Sequence, residues 1–238
     1  MERKVTFENK GMKVVGILSM PKDIQLGVVL VHGLTGNKNE ANGLFKETAR
    51  RFARNHIATL RIDCRNSKPW EGAPNESEGY LANMRPEDWV SDIKKAVNFL
   101  YTAMKNNASK NKNEYGGEGD RERIKIKVGV LGISYGALAS VIASANCKKI
   151  KFLITWSAPA KDVYHEFSPQ NALAKMDIPK LFLHGTEDRV VPFADSKKLY
   201  KKSHSSKKIV LIEGADHVYS KHKSMVIEET LKWLKGIY

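Results

Sequence analysis

Five residues, Gly132-Ile133-Ser134-Tyr135-Gly136, close a strand-like run at 125–133 (KIKVGVLGI). They lead directly into a helical stripe of Leu138, Val141, Ile142 and Ala145. G-x-S-x-G in that strand–turn–helix setting puts a serine on a sharp, strained turn with its hydroxyl aimed away from the sheet. It also places the serine at a helix N-terminus, where the dipole favours developing negative charge. The flanking glycines relieve crowding where strand and helix pass closely. The same five residues also describe a plain tight turn with a serine N-cap; the strand before and the helix after favour Ser134 as a nucleophile.

A serine hydroxyl is a weak nucleophile until a base takes its proton. The run 208–213 (KIVLIE) ends in Glu213-Gly214-Ala215-Asp216-His217, which puts His217 in the loop after the last strand, better placed than the other six histidines. The run 180–184 (KLFLH) ends in His184-Gly185-Thr186-Glu187-Asp188, and Asp188 is the expected carboxylate to orient the imidazole. Aspartate is also a common turn residue; Glu187 competes as a neighbour and Asp162 as a more distant rival. Acyl transfer further needs two backbone N–H groups for the oxyanion. Tyr135, which follows the serine, supplies one. Leu34, in the His32-Gly33-Leu34-Thr35-Gly36 turn, is the candidate for the other, with His32 bracing that turn.

These residues need a scaffold that brings distant loops to one rim, and the hydrophobic pattern supplies it. Strand runs read at 13–20, 27–32, 57–63, 125–133, 151–156, 180–184 and 208–213. The second is apolar until His32, as in a strand buried on both faces. Helical spacing of apolar residues reads at about 40–54, from Pro86 through Met104, after Ser134, partly within 160–176, and at about 193–202 and 220–236. Strands alternating with helices predict a mostly parallel sheet with helices on both faces, as one domain spanning 1–238. In such folds functional groups collect beyond the carboxyl ends of the strands, where Ser134, Asp188 and His217 are placed. Residues 64–85 read as irregular and 105–123 as an exposed polar loop.

Composition narrows the function classes. The 238 residues are 42% apolar and 28% charged, as expected of a globular chain and not of a disordered or collagen-like one. No apolar run approaches the roughly 18–20 residues that cross a bilayer, and the opening Met1-Glu2-Arg3-Lys4 leads into no apolar signal segment. Two cysteines, Cys64 and Cys147, make neither a disulfide framework nor a metal-ligand pattern, so a cytoplasmic setting is expected. The net charge of +14 raises nucleic acid as a partner. Thirty lysines against 10 arginines, spread over the whole chain, fit a solvated face better, because base and bidentate phosphate contacts lean on arginine.

G-I-S-Y-G at 132–136, H-G-L-T-G at 32–36, H-G-T-E-D-R-V-V-P at 184–192 and E-G-A-D-H at 213–217 resemble the α/β-hydrolase superfamily. The likeness is greatest to small serine esterases of the cinnamoyl/feruloyl-esterase and monoacylglycerol-lipase type. It covers roughly 13–236, and the order Ser134, Asp188, His217 is the order of that architecture. The resemblance implies an eight-stranded sheet whose first strands are antiparallel. It also implies ester hydrolysis through an acyl-enzyme, with Ser134 as nucleophile, His217 as base, Asp188 as acid, oxyanion donors at Leu34 and Tyr135, and no metal or organic cofactor. The chain departs from relatives in having Ile133 and Tyr135 inside the serine motif and Arg65-Asn66-Ser67-Lys68-Pro69-Trp70 after the fourth strand. Only 23 residues, 157–179, stand where relatives insert a long lid, which implies a minimal cap and an open site. Trp156, Tyr164 and Phe167 are the aromatics expected to line it, places where isolated aromatics also serve as core or rim.

The expected substrate is a small or aromatic carboxylic ester. Thioesterase, amidase or small-peptidase activity on the same residues is the alternative, and a non-catalytic binding protein of the same fold a further one.

Overall fold

The computed structural model describes residues 2–22, 24, 26–114, 126–161, 168–204 and 206–237, with the side chains of 110–114 excepted. Among these residues eight strands form one sheet. They are β1 (Glu2–Asn9), β2 (Met12–Ser19), β3 (Leu26–Val31), β4 (Ile57–Ile62), β5 (Lys127–Ile133), β6 (Ile150–Trp156), β7 (Lys180–Gly185) and β8 (Lys207–Ile212). Their spatial order is β1-β2-β4-β3-β5-β6-β7-β8. The β1–β2 and β2–β4 pairs are antiparallel, and every pair from β4 to β8 is parallel.

The helices are α1 (Leu44–Arg54), α2 (Pro86–Glu114), α3 (Tyr135–Ala145), α4 (Pro169–Ala174), α5 (Phe193–Lys202) and α6 (Lys223–Ile237). Every residue of β3 and of β4 is buried, as a parallel strand covered on both faces must be. One face packs Val29, Val31, Leu60 and Val130 against Trp89, Ile93, Val97 and Leu100 of α2. The other packs Val28, Leu30, Ile154 and Leu183 against Phe45 and Phe52 of α1 and Ile227 and Leu234 of α6.

Two differences from the sequence expectations have local causes. The strand β1 was not legible in the sequence, because only Val5, Phe7 and Asn9 turn inward while Thr6, Glu8 and the charged residues before Val5 face solvent. Helix α2 runs to Glu114, so the first half of the segment expected as a loop, 105–114, is helical. Residues 115–123 of that segment lie outside the described residues.

The irregular segment 64–85 is tied down by polar contacts at the carboxyl rim of the sheet. Arg65 donates through its backbone N (2.9 Å) and Nε (2.7 Å) to the buried Asp92 carboxylate, which also accepts from Asn9 Nδ2 (2.7 Å). Among the described residues no helix is long and apolar enough to cross a membrane.

Two glycines decide whether α3 can sit where it does. A Cβ on Gly132 would lie 2.3 Å from the Gly136 carbonyl oxygen. A Cβ on Gly136 would lie 2.1 Å from the His32 carbonyl oxygen and 2.4 Å from that of Val31. Both obstacles are backbone and cannot rotate away. Gly136→Ala is therefore expected to force β3 and α3 apart, at a cost at or above the roughly 1–3 kcal/mol typical of overpacking. Thermal denaturation should show a lowered melting temperature.

Candidate active site

Ser134 sits between β5 and α3 with φ 54° and ψ −125°, a backbone conformation that L-residues rarely adopt. The turn is locked from both sides. Ser134 N–H donates to the Trp156 carbonyl (2.9 Å), and the Ser134 carbonyl accepts from Ala137 (3.0 Å) and Leu138 (3.3 Å). The strain sits where the fold over-determines the backbone, as at sites where a reactive group must be presented. Tyr135 follows as the first residue of α3, its ring buried edge-on against Trp89 at 5.2 Å.

The turn after β3 lies directly against this serine: the position of a Cβ on Gly33 is 3.4 Å from Ser134 Cβ. Residues 33–36 form a turn closed by Gly36 N–H to the Gly33 carbonyl (3.0 Å), with Thr35 at φ 61°. The Leu34 N–H has no hydrogen-bond partner among the described residues.

His32 braces this turn. Its Nε2 accepts from Cys64 N–H at 2.9 Å, so the proton is assigned to Nδ1, which donates to the Gly33 carbonyl at 2.7 Å. Lys38, also buried, anchors the far end through its backbone N (2.6 Å) and Nζ (2.8 Å) to Asp63. Burial pushes the Cys64 thiol well up, which leaves it a core residue rather than a nucleophile.

His217 lies in the loop after β8, and its Nδ1 is 2.7 Å from Asp188 Oδ2. The Asp188 side chain is fully buried. Its Oδ1 accepts from the N–H groups of Val190 (2.9 Å) and Val191 (2.8 Å). Its Oδ2 also accepts from His184 Nε2 at 3.0 Å. Burial alone would raise this carboxyl. The hydrogen bonds from His184, His217 and Val191, with the charge of His217, outweigh it and hold Asp188 well below the usual carboxylate range. Glu187, the neighbouring competitor, is exposed.

The loops that carry the acid and the imidazole are stitched together. Thr186 N–H donates to the Ile212 carbonyl (3.0 Å), Glu187 N–H to that of Ala215 (3.0 Å), and Gly214 N–H to Thr186 Oγ1 (2.9 Å). Ser157, at the end of β6 with φ 49°, sets its hydroxyl 3.0 Å from both the His217 carbonyl and the Tyr219 hydroxyl. Tyr219 donates onward to the Leu183 carbonyl at 3.2 Å. Burial raises the Tyr219 phenol far above its ordinary value, so it remains a donor.

The structure thus brings Asp188 and His217 into a hydrogen bond and sets Ser134 beside the Gly33 turn. A bond between the Ser134 hydroxyl and His217 Nε2 is not among the hydrogen bonds of the described residues. Catalytic sites commonly tighten this contact only in the Michaelis complex.

Trp156 is a correction. Its ring is fully buried, packed against Tyr219 and Phe45, with Nε1 donating to Thr230 Oγ1 at 3.2 Å. On β6 its side chain points into the α1–α6 layer, so it lines no open cap and only its carbonyl reaches the serine turn. Tyr164, Phe167 and Asp162 lie outside the described residues.

Two side chains escaped the sequence reading. His184 uses Nε2 toward two acceptors, Asp188 Oδ2 and the Val191 carbonyl (2.9 Å), and Nδ1 toward Ser196 Oγ (2.7 Å). That pattern puts its proton on Nε2 and makes it a fixed donor to the acid. It stood in the H-G-T-E-D motif, but nothing local said which way the ring would turn. The other is Glu40, whose carboxylate accepts from Gly33 N–H at 2.8 Å. Its only sequence signal was its position seven residues beyond Gly33 in the same loop.

A parallel sheet with helices on both faces, two antiparallel pairs at one edge, and a strained serine turn at its carboxyl rim define an α/β-hydrolase. The chain belongs to the FSH1 serine hydrolase family, whose model matches residues 56–226. That span includes Ser134, Asp188 and His217 and stops short of the 32–40 loop. Among solved structures, Est1E of Butyrivibrio proteoclasticus with bound ferulic acid is similar over 98% of both chains, at 21% identity and a TM-score of 0.73. Dienelactone hydrolase of Anabaena variabilis is similar over 99% of this chain and 97% of that one, at 18% identity and a TM-score of 0.74. Among curated proteins, the uncharacterized protein YfhR of Escherichia coli O157:H7 is 29% identical over 102 residues. That match spans 43% of this chain and about a third (32%) of YfhR.

Proposed function

We propose that this serine hydrolase cleaves carboxylic esters through an acyl-enzyme, with Ser134 as nucleophile, His217 as general base and Asp188 as the orienting acid. The observation that carries the reading is the 2.7 Å contact between His217 Nδ1 and Asp188 Oδ2. A carboxylate kept ionised there holds the proton on Nδ1 and leaves Nε2 with a lone pair to take the Ser134 proton. Ser134 Oγ then bonds to the ester carbonyl carbon, and the carbonyl electron pair moves onto oxygen. The Leu34 and Tyr135 N–H groups stabilise that oxyanion. Collapse expels the alcohol, which takes its proton from His217. Water, deprotonated by the same imidazole, repeats the sequence and releases the acid.

The proposed substrates are small or aromatic esters. The segment between β6 and β7 is short, so little apolar wall is available to cover a long acyl chain. Ferulic acid, bound in the similar Est1E structure, is an aromatic acid of the class proposed here for the acyl part of the ester. The free thiols of Cys64 and Cys147 fit the proposal of a reducing cytoplasm.

A parallel panel of p-nitrophenyl esters of increasing chain length, methyl hydroxycinnamates, acyl-CoA thioesters and aminoacyl-naphthylamides tests the reading. The expected result is the highest kcat/KM on short-chain and aromatic esters, with a fall beyond medium chain length. A higher kcat/KM on thioesters or on amides would reassign the reaction to that bond.

A further inference from the structure

Glu40 is a partly buried carboxylate in the loop that faces the proposed nucleophile, and the mechanism above does not use it. Its two oxygens accept separate backbone N–H groups, Gly33 at Oε2 (2.8 Å) and Ala41 at Oε1 (3.2 Å). An ionised carboxylate satisfies both. The residue is itself strained, with φ 51° and ψ 173°, and Asn42 two positions on has φ 50°. Gly36 leaves the room it occupies: a Cβ there would lie 2.9 Å from Glu40 Oε2. No lysine or arginine pairs with Glu40 among the described residues. The titratable groups that act on it are His32 and His217. His32 is committed on both ring nitrogens, to Cys64 N–H and the Gly33 carbonyl.

We propose that Glu40 is a positioning residue: its carboxylate holds the Gly33–Gly36 turn against Ser134, so that the Leu34 N–H is presented to the oxyanion. The inference rests on the reading of Ser134 and His217 given above. Gly33 N–H is tied back to Glu40, while the next amide, that of Leu34, has no partner among the described residues. Burial pushes the Glu40 carboxyl up from its ordinary value, while His32, the Gly33 and Ala41 amides and His217 pull it back. A carboxylate retained under that opposition needs the two amides in place.

The test is Glu40→Gln, assayed for kcat, KM, the pH profile of kcat/KM and Tm. The amide oxygen can still accept from Gly33, but the charge is gone. The expected result is a kcat lowered about 10- to 100-fold, less than the roughly 10²- to 10³-fold cost of losing an oxyanion donor itself. KM should stay within about twofold, as for an interaction made only in the transition state. The pH profile of kcat/KM should keep its shape, since His217 keeps its bond to Asp188. A purely structural role would lower Tm while leaving kcat, measured well below the transition, within about twofold of wild type.

Glu40→Asp keeps the charge on a shorter arm and carries the test if Glu40→Gln does not fold. It should also lower kcat with KM within about twofold, because the shorter arm cannot reach both the Gly33 and Ala41 amides. Failure of the underlying reading shows separately, as wild-type protein that a fluorophosphonate does not label at Ser134. With labelling intact, a Glu40→Gln or Glu40→Asp kcat within about twofold of wild type would overturn the role of Glu40 alone.

Discussion

Ser134→Ala will lower kcat on p-nitrophenyl esters by about 10⁴- to 10⁶-fold, the range seen when the nucleophile of a serine triad is removed. The change deletes one oxygen at a position whose backbone is set by other groups: the Trp156 carbonyl, Ala137 and Leu138 N–H, and the close passage of Gly132 and Gly136. Ser134 Oγ makes no hydrogen bond among the described residues, and alanine meets the same φ of 54°. The melting temperature should therefore hold nearly constant while activity collapses. Fluorophosphonate labelling, followed by mass spectrometry of the peptide containing residue 134, should be complete in the wild type and absent in the variant. A folded alanine variant with full esterase activity would sink the assignment.

Asp188→Asn should cost about 10⁴-fold in kcat, the loss expected when an imidazole is held in the wrong tautomer. Four donors converge on the Asp188 carboxylate: Val190 N–H, Val191 N–H, His184 Nε2–H and His217 Nδ1–H. An asparagine offers one oxygen and one NH₂ in place of two oxygens. With the NH₂ toward the loop amides, two backbone donors face a donor. With the NH₂ toward the histidines, His217 Nδ1 must accept, so its proton moves to Nε2 and the base is lost. Either orientation leaves buried donors unmet, at roughly 1–3 kcal/mol each, so this variant, unlike Ser134→Ala, should also melt earlier.

The sign of the pH dependence follows from the same contacts. Asp188 is held below its ordinary value, so its pairing stabilises the fold fully above the unfolded carboxyl pKa of about 3.9. That contribution fades as pH falls through the lower native value. The gap in Tm between wild type and Asp188→Asn should be constant near neutral pH and narrow only in strong acid. A gap that widens toward low pH would contradict the ionised, hydrogen-bonded carboxylate.

Much of the architecture was legible because its signals are local. The all-apolar runs of β3 and β4, the stripe of Trp89, Ile93, Val97 and Leu100, and the glycine-flanked turn at Ser134 each declare themselves within a dozen residues. Where the pattern was weak, the reading stopped short. Only alternate residues of β1 are apolar, so that strand rested on resemblance alone. The polar end of α2 reads as a loop because residues 105–114 carry no apolar stripe to mark a helix. Trp156 reads as lining the site because a strand-end aromatic can face either layer, and its packing partners Tyr219 and Phe45 are far away in the chain.

The sequence by itself determined that a serine stands on a strained strand-to-helix turn, and that an aspartate and a histidine follow the later strands in hydrolase order. Backbone preference, glycine placement and hydrophobic period are properties of neighbouring residues, so they survive in one dimension. Only the tertiary structure decided that Asp188 rather than Glu187 holds His217, that His184 donates to the same carboxylate, and that Glu40 folds back onto Gly33. Those choices depend on which side chains are buried together and which backbone amides lack another partner, and both are settled only when loops distant in the chain pack at one edge of the sheet.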